Sequence, residues 1–220
     1  MKSPAVIGIL GGTFNPLHLG HLRMAEELAD AVGLEQVRFM PAAHPPHRAE
    51  PEVSSAHRVA MVELGIAGNP RFMLDTRELE RPGHSYTIDS LLSLRKELGD
   101  RVSISWLLGS DAFMGLSSWH RWQELLDYCH LVVAYRPGPA EIHADLSPEL
   151  RSLLGKRQTH DSARLHQKPA GHIYLQDITA LDISATHIRA TLEQGLSVRY
   201  LLPDNVLAYI NQHKLYRDNA

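Results

Sequence analysis

The run Gly11-Gly12-Thr13-Phe14-Asn15-Pro16-Leu17-His18-Leu19-Gly20-His21 puts two imidazoles three residues apart behind a glycine-rich turn. Glycines let a main chain turn tightly and come close to a ligand, while amides at the start of a following helix can receive phosphate oxygens. The i,i+3 spacing sets His18 and His21 side by side at a helix N-terminus. A lone histidine is usually structural. Two in a first turn, behind a phosphate cradle and at the C-terminal edge of a parallel strand, lie where open α/β sheets take their ligands. The run has neither the Gly-Lys-Ser/Thr ending of a Walker A loop nor the Gly-x-Gly-x-x-Gly spacing of dinucleotide folds.

A second constellation lies far along the chain, in Ile183-Ser184-Ala185-Thr186-His187-Ile188-Arg189. Ser184 is a natural N-cap, its helix start offers amides to phosphate, and Arg189 adds a permanent cation with a fork of donors. Taken alone, the segment reads as a capped helix with a solvated arginine. Leu108-Gly109-Ser110-Asp111 ends a predicted strand. Asp111 there can accept from ribose hydroxyls, as acidic residues do in other nucleotide folds, or simply cap a helix.

The elements that must position these groups alternate strand-like and helix-like segments, the pattern of βα units around a parallel sheet. Strands are predicted at 5–10, 36–41, 72–75, 102–108, 131–135 and 172–176. Helices are predicted from Leu19 to Val32 with Gly33 as stop, from about Ser54 through Ile66, at 86–98, from Ser184 to Glu193, and at 203–213. The expected architecture is a Rossmann-like, doubly wound α/β fold with a mainly parallel sheet, helices on both faces and a small C-terminal helical part. We read one domain over residues 1–220, with a core at 1–180 and the helical part at 181–220. The stretch 136–169 is irregular, with one helical patch near Pro148, and is assigned no chemistry.

Composition narrows the partners. A formal charge of −3 over 220 residues lacks the basic excess of a nucleic-acid or membrane-surface protein. One cysteine, Cys129, excludes an intramolecular disulfide and a cysteine-rich zinc site, and suits a cytoplasmic location. The first apolar run is too short for a signal-peptide core or a membrane span. Oligomeric state, including a homo-oligomer, is left open.

His18-Leu19-Gly20-His21 resembles the T/H-x-G-H signature of nucleotidyltransferases, and the wider run resembles the Gly-Gly-Thr-Phe-Asp-Pro-x-His-x-Gly-His opening of bacterial nicotinate mononucleotide adenylyltransferases. Asn15 stands where that family usually has Asp. A similar-sized amide can still hold the turn. The 183–189 segment resembles the superfamily's Ile-Ser-x-Thr-x-Ile-Arg motif, and Gly109-Ser110-Asp111 its Gly-x-Asp turn. Three further stretches are similar to this family within the superfamily. These are Arg81-Pro82-Gly83-His84-Ser85-Tyr86-Thr87, Ser118-Trp119-His120-Arg121-Trp122, and the loop Pro45-Pro46-His47-Arg48, where Arg48 replaces the commoner Lys.

The resemblance implies adenylyl transfer from ATP to nicotinate mononucleotide. Catalytic roles would fall on His18, His21 and Arg189. ATP would meet Gly11, Gly12, Thr13, Phe14, His18, His21, Gly109, Asp111, Ile183, Ser184 and Arg189. The mononucleotide would meet Thr13, Asn15, His47, Arg48, Ser85, Tyr86, Thr87, Trp119 and His120, with Trp119 as a stacking platform for pyridine. Helix-start donors around Ser85 and Thr87 would favour the nicotinate carboxylate. Mg²⁺ would ride mainly on the ATP phosphates, since no carboxylate cage is present in the motifs and no protein metal ligand is named. Rival readings are an adenylyltransferase for nicotinamide mononucleotide or pantetheine phosphate, a metal-dependent hydrolase suggested by fourteen histidines, and a nucleotide sensor without turnover.

Overall fold

Apolar residues at alternate positions build a sheet buried on both faces, and two separate apolar clusters record which side each residue takes. The computed structural model describes residues 6–43, 53–135, 146–179 and 181–217. Its strands are β1 (Val6–Gly12), β2 (Gln36–Pro41), β3 (Phe72–Leu74), β4 (Ser103–Gly109), β5 (His130–Tyr135), β6 (Gln158–Thr159) and β7 (Ile173–Asp177). They form one parallel sheet in the order β3-β2-β1-β4-β5-β7-β6. Register sets Leu10 of β1 beside Phe39 of β2 and Leu107 of β4.

The helices are α1 (Leu19–Val32), α2 (Ser55–Ile66), α3 (Arg77–Glu80), α4 (Thr87–Leu98), α5 (Ser110–Met114), α6 (Leu125–Tyr128), α7 (Pro148–Arg157), α8 (Arg164–Gln167), α9 (Ala185–Glu193) and α10 (Asp204–Gln212). Ile7, Ile9, Ile104, Trp106, Leu131 and Val133 face α4 to α7. Val6, Leu10, Leu107 and Val132 face α1, α8 and the inner side of α2. Period-two alternation thus becomes a doubly wound fold, with one helical layer on each side. The helices α9 and α10 pack a third cluster of their own, around Ile188, Leu192, Val206 and Ile210, against Met61 of α2. No helix among the described residues is long and apolar enough to cross a membrane.

Local signals explain most element ends. Gly33 closes α1 in the left-handed region at φ 64°, where glycine carries no Cβ penalty. Ser54, Ser147 and Ser184 cap α2, α7 and α9 through hydroxyls that accept from His57, Leu150 and His187 amides, each worth about 1 kcal/mol. The stretch 136–169 holds more than the helical patch expected of it. Its described part adds β6 as an edge strand, together with α8. Here the carbonyl of Leu165 accepts from Ser103 Oγ, the His166 ring meets the Val32 carbonyl, and Pro169 accepts from Ile104. Those partners lie at the start of β4 and the end of α1, so this segment covers the N-terminal edge of the sheet, opposite the glycine-rich turn.

Candidate active site

The chain leaves β1 toward β2 and β3 on one side, and later runs from β4 toward β5 and β7 on the other. The carboxyl ends of β1 and β4 therefore flank the point where strand order reverses, the crevice at which such sheets bind ligands. Gly11 and Gly12 end β1, and Gly109 ends β4. A Cβ on Gly11 would lie 2.9 Å from the Trp106 ring, and one on Gly12 3.2 Å from the Phe14 ring. These two glycines thus make room for the protein's own rings. Gly109 differs, since nothing stands within 4 Å of its Cβ position. Asp111 follows it, exposed, in the first turn of α5.

Phe14 turns the chain at φ 47° and sinks its ring into the core, tilted against Phe39 and edge-on to His21. The His18 and His21 rings stack with centroids 3.7 Å apart. His18 stands just before α1 and donates its main-chain N–H to His21 Nδ1 at 3.3 Å. An accepting Nδ1 places the neutral ring's proton on Nε2, so His21 is a donor there. His18 is only 6% exposed, and its Nδ1 has no hydrogen-bond partner among the described residues. Burial lowers its pKa to about 4; the ring is neutral at pH 7. Gly20 packs tightly beside it, since a Cβ would come 3.0 Å from His18 Nδ1 and 3.6 Å from the Ile183 carbonyl.

That Ile183 contact brings the second constellation onto the first. Ser184 spends its hydroxyl on the His187 amide as a cap. Five residues later, Arg189 Nη1 donates to the Asn15 carbonyl at 2.8 Å. Asn15 is buried, and its Oδ1 accepts from the Tyr216 hydroxyl at 2.6 Å. Thr13 is held through its carbonyl, which accepts from Arg58 Nη1 at 2.8 Å.

A third group forms at the start of α4. Thr87 is its first residue, and Tyr86 precedes it without a side-chain cap. Tyr86 and His120 rings lie 4.5 Å apart, which joins two segments that are far apart in sequence. Trp119 packs, half-buried, against the same cluster as Tyr86 and Trp122. Ser85 Oγ accepts from the Ala43 amide at 2.9 Å, a strut between the end of β2 and the start of α4. Beneath it the buried Glu78 carboxyl accepts from Ser90 at 2.6 Å. Burial pushes its pKa up, against the lowering by the Ser90 and Ser85 hydroxyls. His47 and Arg48 lie outside the described residues.

A cytidylyltransferase-like family model matches residues 9–191. A probable nicotinate-nucleotide adenylyltransferase of Aeromonas hydrophila is 52% identical over 217 residues, covering 99% of each chain. One of Pseudomonas putida is 51% identical over 220 residues, covering 98% of each. The chain belongs to the nicotinate-nucleotide adenylyltransferase family. The fold agrees with that of a Plasmodium falciparum nicotinic acid mononucleotide adenylyltransferase complexed with NaAD, at a TM-score of 0.69 and 19% identity over 96% of this chain and 97% of that one. The same parasite enzyme complexed with APC gives 0.68 and 17%, over 96% and 97%.

Within this adenylyltransferase frame, three residues beside the glycine-rich turn escaped the sequence reading: Trp106, Arg58 and Tyr216. Trp106 fills the space that Gly11 leaves. Arg58, 1% exposed, donates to the carbonyls of Thr13 and Ala43, and no carboxylate among the described residues pairs with it. A charged residue on the helical stripe that also carries Met61, Val62 and Ile66 was the available signal for Arg58. Tyr216 carried none, since its partner lies 201 residues away.

Proposed function

We propose that the chain transfers the adenylyl group of ATP to the phosphate of nicotinate mononucleotide, giving nicotinate adenine dinucleotide and pyrophosphate. The observation that carries the reading is the meeting at one turn of the stacked His18 and His21 rings with Arg189. The nucleophile is a phosphate already ionised near neutral pH, so no strong base and no enzyme nucleophile are needed. Its oxygen attacks the α-phosphorus of ATP in line, and pyrophosphate leaves. His21 Nε2–H, His18 and Arg189 donate to the phosphate oxygens as charge builds, each donor worth about 3 kcal/mol of barrier. A neutral His18 donates without the cost of a buried cation stacked on its neighbour.

Gly11, Gly12, Thr13, Gly109 and Ile183 border the nucleotide with main chain, and Asp111 accepts from a ribose hydroxyl. The uncapped start of α4 at Tyr86 and Thr87 favours a carboxylate, and the Tyr86, Trp119 and His120 rings give the pyridine a surface. Bound Mg²⁺ supplies charge neutralisation and orientation of the triphosphate. In this reading phosphates and water carry the ion, and among the described residues no three His, Cys, Asp or Glu converge on a cation position. The reading includes a cytoplasmic location, which a chain with a single cysteine suits.

Parallel reactions with ATP, Mg²⁺ and nicotinate mononucleotide, nicotinamide mononucleotide or phosphopantetheine, read by product mass, test it. Fast formation of nicotinate adenine dinucleotide in the first alone is expected. Preferred turnover of another acceptor would overturn the substrate assignment.

A further inference from the structure

After α10 the chain bends back through two non-glycine residues in the left-handed region, Lys214 at φ 52° and Tyr216 at φ 59°. Such conformations persist only where surrounding contacts enforce them. Here they sink Tyr216, 9% exposed, into the cluster formed by α2, α9 and α10, and aim its hydroxyl at Asn15 Oδ1, 2.6 Å away. Asn15 is thereby gripped at both ends, its amide by Tyr216 and its carbonyl by Arg189. Two residues earlier in the same turn, Arg58 grips Thr13. Three residues later comes His18.

We propose that Tyr216 is a positioning residue for the transfer step. It acts through Asn15 to fix the Thr13–His18 turn, and with it the reach of Arg189. The proposal rests on the adenylyltransferase reading. It also gives Asn15 a physical role, since its Oδ1 is the acceptor for Tyr216. The hydroxyl touches no reacting atom, so its loss should slow chemistry without emptying either substrate site.

The test uses the full chain, measuring kcat, both KM values and the thermal midpoint for Tyr216→Phe, Tyr216→Leu, Asn15→Ala and the double variant Tyr216→Phe/Asn15→Ala. Tyr216→Phe keeps the ring, and should lower kcat about tenfold with KM values within about threefold and an almost unchanged midpoint. Tyr216→Leu also empties ring volume and should lower the midpoint as well. If Tyr216 works through Asn15, the double variant loses no more kcat than the worse single one, whereas independent sites would multiply their losses. Unchanged kcat in Tyr216→Phe, multiplied losses in the double variant, or kcat falling only in step with the midpoint would each overturn the proposal. A wild-type chain that makes no nicotinate adenine dinucleotide would instead refute the underlying reading.

Discussion

Arg189 Nη1 lies 2.8 Å from the carbonyl oxygen of Asn15, a bond that ties residues 174 positions apart and closes the late motif onto the early one. The guanidinium is thus held at the turn before any nucleotide arrives, with its remaining N–H groups available for phosphate geometry. Replacing it by Ala removes both the tie and a phosphate donor, and kcat should fall about 100-fold or more. Arg189→Lys retains charge without the fork and should recover only part of that loss. Steady-state kinetics of the two variants decides it, and equal, small losses would remove Arg189 from the chemistry.

Gly20 offers a test of whether the His18 ring position matters. The Cβ of Gly20→Ala would press on the ring at 3.0 Å and 3.1 Å, a separation that the neighbour must relieve by moving. Because α1 tolerates alanine well, the fold should keep its thermal midpoint to within a few degrees. Turnover should drop about tenfold through displacement of His18. A variant with native kcat would mean that His18 does not need its present seat.

Acid should destabilise the fold through two buried histidines. His18 and His130 both have pKa values lowered to about 4, chiefly by burial. In His130, Nε2–H donates to the Lys168 carbonyl at 2.9 Å and Nδ1 accepts from the His172 amide at 3.1 Å; protonating Nδ1 would break the second bond. The unfolded chain titrates near 6.5, so between about 6.5 and 4 it binds more protons than the folded one. Stability is therefore full above that window and falls as pH drops through it, by up to roughly 3 kcal/mol per residue. Chemical denaturation from pH 7 to 4.5 should show this slope, and His130→Gln should reduce it by about one proton's worth. An identical slope in the variant would contradict the assignment.

Much of this was legible in sequence because local chemistry dictated it. The strand β2 and helix α1 fall where alternation and 3.6-residue periodicity put them, and Gly33 and Ser184 end or start helices for reasons contained in a few residues. The i,i+3 spacing of His18 and His21 was enough to predict that their rings meet. Contacts between distant segments were not legible. Two-residue β6 has no periodicity to read, and the ring of Trp106 in the place of a Gly11 side chain, or Tyr216 on Asn15, depends on the finished fold. The Phe14 ring beside the Cβ position of Gly12 depends on it in the same way.

Gly65 shows how far that packing extends toward the site. A Cβ there would clash with Leu17 Cδ2 and fall 3.3 Å from Val206. Leu17 is fully buried and directly precedes His18. Gly65→Ala should therefore destabilise by about 1–3 kcal/mol through overpacking and slow turnover by shifting the residue that carries His18. Thermal melts together with kcat would check it; a variant as stable and as active as the parent would show that the α2 contact has slack.

The central claim is that His21, set as an Nε2 donor by its bond from the His18 main chain, stabilises the charge on the ATP phosphates as the adenylyl group transfers. Single-turnover kinetics of His21→Asn with ATP, Mg²⁺ and nicotinate mononucleotide tests it most directly, because the amide oxygen can still accept from His18 N–H and keep the helix start intact. The predicted result is a chemical step slower by about 100-fold with mononucleotide affinity within about threefold of the parent. A chemical step at the parental rate, or a loss confined to mononucleotide affinity, would contradict it.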